Sequence, residues 1–557
     1  MMQFDSIIVG AGSAGCLLAN RLSANPKHRV LLIEAGGEDD WVWIKIPVGY
    51  LFTIANPRTD WCFKTEAEPG LNGRAIHYAR GKVIGGCSSI NAMIYMRGQA
   101  SDYARWAQAT HDDHWSWESA LETYKSIEDY FGGANAWHGA GGEMRVEAAR
   151  VRWEILDAWR EAAAEQGIAP IEEFNRGDNA GCAYFQMTQK RGVRWSMADA
   201  FLHPVRHRKN LTVMTRTHVL RVLTQPIDHA TRNQPRWAQQ AWANAAHEAT
   251  GLEILHEGVR KTVMATDQVI LSAGAVSSPH LLQVSGIGPA DRLHALGITP
   301  VVDLPGVGEN LQDHLQIRTV YQVDHCKTVN TLYKNWFTRI GMGLQYALFR
   351  TGPLTMPPST LGAFAKSSDQ EPTPDMEWHV QPLSLPKFGE PLHPFNAITP
   401  SVCNLRPSSR GWVRAVHPDP MAAPKIFCNY LSTEHDRHVA VRGLQFTRKI
   451  MQSKALAPFN PREMLPGESL TTESDLAKAA GDLGTTIFHP VSTCAMGQVS
   501  DTGQARDPMT VLDAQCRVRG VARLRVVDAS SMPTITSGNT NAPVMLIAEQ
   551  VSRMMLP

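Results

Sequence analysis

A strand that runs straight into Gly10-Ala11-Gly12-Ser13-Ala14-Gly15 leaves the start of this chain few ways to fold. Residues Phe4 to Val9 form a short apolar run of the kind buried in a parallel sheet. Ala14 to Leu22 carries apolar residues at helical spacing, Asn25-Pro26 ends that helix, and Arg29 to Glu34 reads as a second buried strand. In such a strand–turn–helix, Gly10 permits the tight turn, Gly12 lets backbone approach a pyrophosphate, and Gly15 lets the helix pack on the strand. The helix N-terminus then offers free N–H groups and a favourable dipole to an anion. Glu34, roughly 20 residues on at the end of the second strand, can accept hydrogen bonds from a ribose diol and would repel a 2′-phosphate. The pattern therefore points to a dinucleotide, although spacing alone does not separate FAD from NAD.

With 557 residues, 43% of them hydrophobic, the chain has material for two or more domains. Its 54 Lys+Arg nearly balance 53 Asp+Glu, so no global field invites nucleic acid. Nine cysteines are scattered without a CxxC, which argues against a disulfide framework or structural zinc and suits a reducing compartment. No basic segment followed by a long apolar run precedes the first strand, and no apolar run reaches the ~18 residues of a membrane span. The expected location is the cytoplasm, with peripheral contact to the inner membrane as the alternative.

Residues 69–100 read as a structured Gly/Asn/Ser-rich loop and 151–167 as a helix. Gln225 to about Thr250 reads as a polar excursion between two strands, and Gln268 to Ala273 as a strand returning to the nucleotide domain. The stretch 332–350 is amphipathic and is expected to pack as a helix on the domain below. A lid or a membrane-surface helix is the sharper alternative. Residues 374–386 and 400–428 alternate like antiparallel strands. Leu524 to Asp528 reads as a strand, followed by a closing helix from Ala542. The expected architecture is α/β (α+β overall), with a Rossmann-like nucleotide domain from 1–150, 200–320 and 490–557. A second domain from 151–199 and 321–489 is expected on a mixed or antiparallel sheet with helices.

Further segments are more distinctive. They are Gly81-Lys82-Val83-Ile84-Gly85-Gly86-Cys87-Ser88-Ser89-Ile90-Asn91, the run Gly274 to Gly288, Val307 to His314, His489-Pro490-Val491-Ser492-Thr493-Cys494-Ala495-Met496-Gly497, Val527 to Ser530, and Gly538 to Pro543. Together, in this order, they resemble the glucose–methanol–choline (GMC) oxidoreductases, nearest to the bacterial alcohol, choline and polyethylene-glycol dehydrogenase branch. The resemblance spans nearly the whole chain. It implies FAD in an extended form, a discontinuous FAD domain and a substrate domain over the flavin.

By position, the resemblance implies that Gly10, Gly12, Ser13, Ala14, Gly15, Glu34 and Ala35 hold the ADP half. It implies that Gly81, Gly85, Gly86, Ser88, Asn91 and Ala92 line flavin and phosphates through backbone N–H groups. Val219, Ala273 and Gly274 would sit beside the ADP half, Asp528 and Ala529 at the ribityl-pyrophosphate, and Asn539, Thr540, Asn541 and Pro543 along the flavin ring. Ile90 stands where some choline oxidases carry a histidine that bonds the flavin, so the FAD is expected to be non-covalent. Ser492 and Ala495 replace Gly and Arg of many relatives, and Thr360 stands where close relatives often carry Glu.

Oxidising an alcohol removes a hydroxyl proton and a hydride; FAD supplies the hydride acceptor and the protein must handle the proton. A histidine suits that task. The resemblance places His489 before the flavin as base, neutral before turnover, and Asn539 at the second catalytic position, which is His or Asn in the family. His280 and His314 are expected to play structural or supporting parts. In the strand 376–381, Trp378 and Val380 share one face and His379 lies on the other; either face can line the cavity. Ser272 and Ser285 lack a G-x-S-x-G elbow, and no H-E-x-x-H or EF-hand spacing suggests a catalytic metal. The expected reaction is oxidation of a primary alcohol, aliphatic or aromatic, with oxygen or a quinone as electron acceptor. A hydroxynitrile lyase and a light-driven fatty-acid decarboxylase on the same scaffold are the alternatives.

Overall fold

The structure, a computed structural model, describes residues 2–227, 245–386, 390–500 and 503–556. Two eight-stranded sheets organise it. The first begins with β1 (Met2–Val9), α1 (Ser13–Leu22) and β2 (Val30–Ile33), as the glycine loop demands. The second includes β3 (Gly181–Tyr184) from the expected second domain, after helix α2 (Glu154–Glu165). The chain then returns to the first sheet through β4 (Leu211–Met214), β5 (Thr217–Pro226), β6 (His247–His256) and β7 (Val259–Leu271), the last followed by α3 (Gly274–Val284).

The first sheet runs β4-β2-β1-β7-β6-β5. Its β4, β2, β1 and β7 are parallel neighbours, while β5, β6 and the first half of β7 extend it as antiparallel strands. The parallel strands contain fully buried runs such as Val30 to Ile33 and Ile7 to Val9. The expected polar excursion is shorter than its sequence suggests. Gln225, Pro226 and His247 to Thr250 belong to the paired strands, and 228–244 lie outside the described residues.

The second sheet contains β8 (Leu315–Arg318), β9 (Val320–Gln322), β10 (Leu361–Ala365), β11 (Met376–Gln381) and β12 (Ala397–Asn404). Later strands β13 (Arg462–Leu465) and β14 (Gly484–Thr486) complete it. All its pairings are antiparallel. The expected division after residue 320 therefore cuts one strand late: β8 pairs with β12 and β14 of the second sheet.

Along the chain, α4 (Val329–Lys334) and α5 (Trp336–Phe349) come between β9 and β10, and α6 (Glu434–Met451) comes between β12 and β13. Trp378 of β11 turns away from the first sheet, packs against Phe446 of α6 and donates to Thr447 Oγ1 at 2.8 Å. The chain closes with β15 (Val521–Ala522), β16 (Leu524–Val526) and α7 (Asn541–Met555), which return to the first sheet and to α1.

The stretch 332–350 departs from expectation. It is helical, but only Tyr346 of α5 is buried, so the helix does not pack its apolar face on the domain below.

Candidate active site

In register, Val9 lies beside both Ile33 and Leu271, and Leu271 lies beside Val526. Gly10, Glu34, Ser272 and Asp528 therefore emerge at one edge, the carboxyl ends of parallel strands where α/β sheets bind ligands. A cavity of about 750 Å³ opens there and extends beneath the second sheet.

Two glycine loops build one wall. A Cβ on Gly86 would lie 2.6 Å from Gly12 Cα, so the loops interlock this closely only because position 86 is glycine. A Cβ on Gly15 would lie 1.9 Å from the Gly10 carbonyl, which ties helix to strand. Gly12 caps α1 without any side-chain acceptor, and Gly12, Ser13 and Ala14 line the cavity, so the helix presents its first turn to whatever binds. Glu34 is buried; its carboxylate accepts from Ala11 N at 2.9 Å and Gly36 N at 2.8 Å. Burial pushes its pKa up to about 7 against those donors. Ala35, Val219, Ala273 and Gly274 line the same end.

The 81–91 loop serves differently from expectation. Gly81, Gly86, Asn91 and Ala92 line the cavity, but Gly85 and Ser88 do not. Gly85 N donates to Ala11 O, Gly86 N to Val83 O, Ser88 N to Gly85 O and Asn91 N to Cys87 O. These amides are spent closing the loop, which turns through left-handed Gly85 and Gly86 into a 3₁₀ turn. Ser88 is buried, with its hydroxyl donating to Gly85 O and accepting from Met197 N. Arg194, unnoticed in the sequence, is fully buried and donates to Ile44 O, Ser88 O, Asn91 Oδ1 and Asn91 O. Burial lowers its pKa to about 9.

Asp528, Ala529, Thr540 and Asn541 line the cavity, whereas Pro543 is buried within the first turn of α7. The Asp528 carboxylate is engaged by Gly274 N, Ser278 Oγ, Ser530 N and Ser530 Oγ, so it fixes the start of α3. Ser13 Oγ donates to Asn541 Oδ1 at 2.7 Å, joining the first and last helices at the site.

At the far end His489, Asn539, His379, Gln381, Gln316 and Ser359 converge. Of the two faces of β11, the one bearing His379 and Gln381 lines the cavity. His489 follows Phe488, whose backbone is left-handed at φ 67°. That conformation is costly for an aromatic residue. It is held by Phe488 N donating to Thr486 Oγ1, Arg80 donating to Phe488 O, and His489 N donating to Asp313 Oδ1 at 2.8 Å. Asp313 is itself buried and also accepts from His314 N, Tyr78, Tyr430 and Thr486. The sequence showed Asp313 only as part of a motif.

His314 Nε2 lies 3.0 Å from Leu405 O, a pure acceptor, so that nitrogen carries the proton. In the neutral ring His314 Nδ1 is then the lone pair, and it lies 3.0 Å from His489 Nδ1. His489 Nδ1 must donate, which leaves the His489 Nε2 lone pair facing Asn539 Nδ2 at 3.1 Å. Burial, reinforced by His314, His379 and Arg80, holds the His489 pKa well below that of a free imidazole. The buried Asn539 Oδ1 has no partner. His314 thus supports His489, while His280 lines the cavity wall with its pKa lowered to about 4 by burial.

The sequence profile described as GMC oxidoreductase matches residues 4–316, and a second, C-terminal profile of the same description matches 407–548. The chain belongs to the GMC oxidoreductase family. It is 37% identical over 559 residues to an alcohol dehydrogenase [acceptor] of Pseudomonas putida, covering 100% of this chain and 96% of that one. It is also 37% identical to the mitochondrial choline dehydrogenase of Homo sapiens, covering 99% and 89%. Among solved structures, pyridoxine 4-oxidase from Mesorbium loti superposes with a TM-score of 0.84 at 33% identity, covering 99% of both chains. This GMC oxidoreductase is accordingly an FAD-dependent enzyme acting on CH–OH donors. Its cavity suits that cofactor, with an uncapped helix start, interlocked glycines and a buried carboxylate in one continuous space.

Proposed function

We propose that this GMC oxidoreductase oxidises a neutral primary alcohol, aliphatic or aromatic, to the aldehyde, with His489 as the base. The observation that carries this reading is the histidine chain, which leaves the His489 Nε2 lone pair in the cavity beside Asn539. Bound FAD supplies the hydride acceptor at N5. The alcohol hydroxyl donates to His489 Nε2 in place of Asn539, and the freed Asn539 amide donates to the alcohol oxygen as negative charge develops there. The proton stays on His489 Nε2 while the His489 Nδ1–H goes on donating to His314 Nδ1.

Neutrality of the substrate is supported by the lining. Gln316, Ser359 and Gln381 are polar and uncharged, and Pro358, Ile487 and Phe488 are apolar. The lining carboxylates Glu34 and Asp528 are already engaged by protein donors. Thr360 supplies no anion where close relatives often carry Glu. Ile90 lines the cavity and has no nucleophilic atom, which supports non-covalent FAD.

In this reading the second sheet, including β8, holds the substrate and the first sheet the cofactor. Roles in holding FAD follow the lining: Gly10, Gly12, Ser13, Ala14, Glu34 and Val219 at the ADP end, Gly81, Asn91, Ala92 and Ala529 towards the flavin. Oxygen or a quinone-type carrier reoxidises the flavin. The cytoplasm is the proposed compartment, consistent with nine free cysteines; among the described residues no helix is long and apolar enough to cross a membrane.

Anaerobic mixing of the FAD-loaded enzyme with hexanol, benzyl alcohol, choline and glucose tests the reading. The two neutral alcohols should bleach the flavin. Bleaching by choline alone would refute neutrality, and cyanide release from a cyanohydrin without bleaching would indicate a lyase.

A further inference from the structure

From His325 to Ser368 the sequence holds no Asp or Glu but five cations: Lys327, Lys334, Arg339, Arg350 and Lys366. Within this stretch α5 is a well-specified helix. Asn335 caps its start by accepting from Phe337 N, and Arg350 ends it in the left-handed conformation. Its one buried residue, Tyr346, donates to Gly192 O on the protein side.

The opposite arc is bare. Trp336 is 59% exposed, Phe337 67%, Ile340 51%, Leu344 57% and Leu348 71%. At 100° per residue these five fall within about 120° of one another on the wheel. At the two edges of this arc, Gly341 and Gly343 face open space. Soluble monomers rarely expose a contiguous apolar strip of this kind without a partner for it. Arg339 stacks over Tyr333 and Arg350 over Tyr346, so cations and aromatic rings border the strip. Lys190 and Arg191, both exposed, immediately precede Gly192, which packs against Arg350.

We infer that α5 docks this enzyme on an anionic lipid surface, lying flat with Trp336, Phe337, Ile340, Leu344 and Leu348 among the acyl chains. Fourteen residues of helix reach only about 21 Å, too short to span a bilayer. An aromatic and aliphatic face bordered by cations, free of acids, is the pattern of an interfacial helix. Charge selects the occupant: a second copy of this chain would bring the same cations against these, whereas an anionic surface complements them. Docking has a consequence for the site. Nine residues after Phe349 the chain reaches Pro358, followed by Ser359, in the cavity wall, so a bilayer-dissolved alcohol or carrier would arrive beside it. That consequence rests on the proposed alcohol reading; docking itself is independent of the chemistry at His489.

Flotation of the FAD-loaded full chain with phosphatidylcholine vesicles, alone or with phosphatidylglycerol, tests the inference. Wild type should float with the anionic vesicles and lose most of that binding in high salt. The triple variant Phe337→Ser, Leu344→Ser, Leu348→Ser should bind at least about 30-fold more weakly. Its rate of flavin reduction by a soluble alcohol should be unchanged, which separates lost docking from lost folding or chemistry. Lys334→Gln with Arg339→Gln should weaken anionic binding about 20-fold at low salt and leave neutral vesicles unaffected. The inference fails if wild type does not float with anionic vesicles, or if the triple variant floats as wild type does. It fails equally if the strip proves to be covered in solution by a second copy that the triple variant releases.

Discussion

The Nδ1 atoms of His314 and His489 lie 3.0 Å apart, and the Leu405 carbonyl decides which of the two rings donates. A backbone acceptor thus sets the tautomer of a histidine two rings away. In His314→Phe the His489 Nδ1–H has no acceptor, and flavin reduction by alcohol should slow on the order of 10²-fold with FAD still bound. In His314→Asn the amide oxygen can replace His314 Nδ1 and should recover most of that loss. Stopped-flow reduction rates check both; equal loss in the two variants would reduce His314 to a packing residue.

The depressed pKa of His489 gives activity a direction with pH. The base must be neutral, so the reduction rate should hold as pH falls through 6.5 and decline only below that, through the lower folded value. Stability follows the same sign. At His489 and His280 the unfolded chain takes up protons before the folded chain does, so their contribution to Tm should fall as pH is lowered. For His280 that window runs from 6.5 to about 4, and His280→Leu should flatten it. A Tm difference between wild type and His280→Leu that stays constant across this range would contradict the assignment.

Glu34 has the opposite sign. Its carboxyl is pushed up to about 7 from 4.5, so the folded, FAD-free protein holds a proton that the unfolded chain has lost. The contribution of Glu34 to the stability of the FAD-free protein should therefore fall as pH rises from about 4.5 to about 7, and Glu34→Gln should remove that part of the pH dependence. The same variant should weaken FAD roughly 10- to 100-fold, as expected for losing charge-assisted hydrogen bonds to a ribose. Calorimetric melting and FAD titration read the two effects separately.

Much of this was legible in the sequence because short-range rules dominate there. The glycine loop, β2 and Glu34 follow from spacing within a few turns of chain. The cavity face of β11 did not: period two separates His379 from Trp378 but does not say which faces the cavity, and the contacts with Phe446 and Thr447 on α6 decide it. The buried role of Arg194 went unseen and Asp313 stood out only as part of a motif for the same reason, since most of their partners lie far away in sequence. The resemblance put the Ser88 backbone N–H at the cofactor, whereas that N–H and the hydroxyl both bond to Gly85 O within the loop. The α5 face misled because amphipathicity reveals an apolar stripe but not what covers it.

Gly86→Ala tests the interlocked loops. The added Cβ would lie 2.6 Å from Gly12 Cα at a residue with φ 54°, so the loops must separate. The variant should fold, since the clash lies at the cavity wall, but should purify largely without FAD. Retention of FAD at wild-type stoichiometry would show that the loops tolerate separation.

The central claim is that His489 takes the hydroxyl proton. His489→Ala should keep bound FAD, with an unchanged flavin spectrum, because the ADP end of the cavity is untouched. Under anaerobic conditions with a primary alcohol that bleaches wild type, its flavin should be reduced 10²- to 10⁴-fold more slowly. Reduction at the wild-type rate with FAD fully bound would contradict the account.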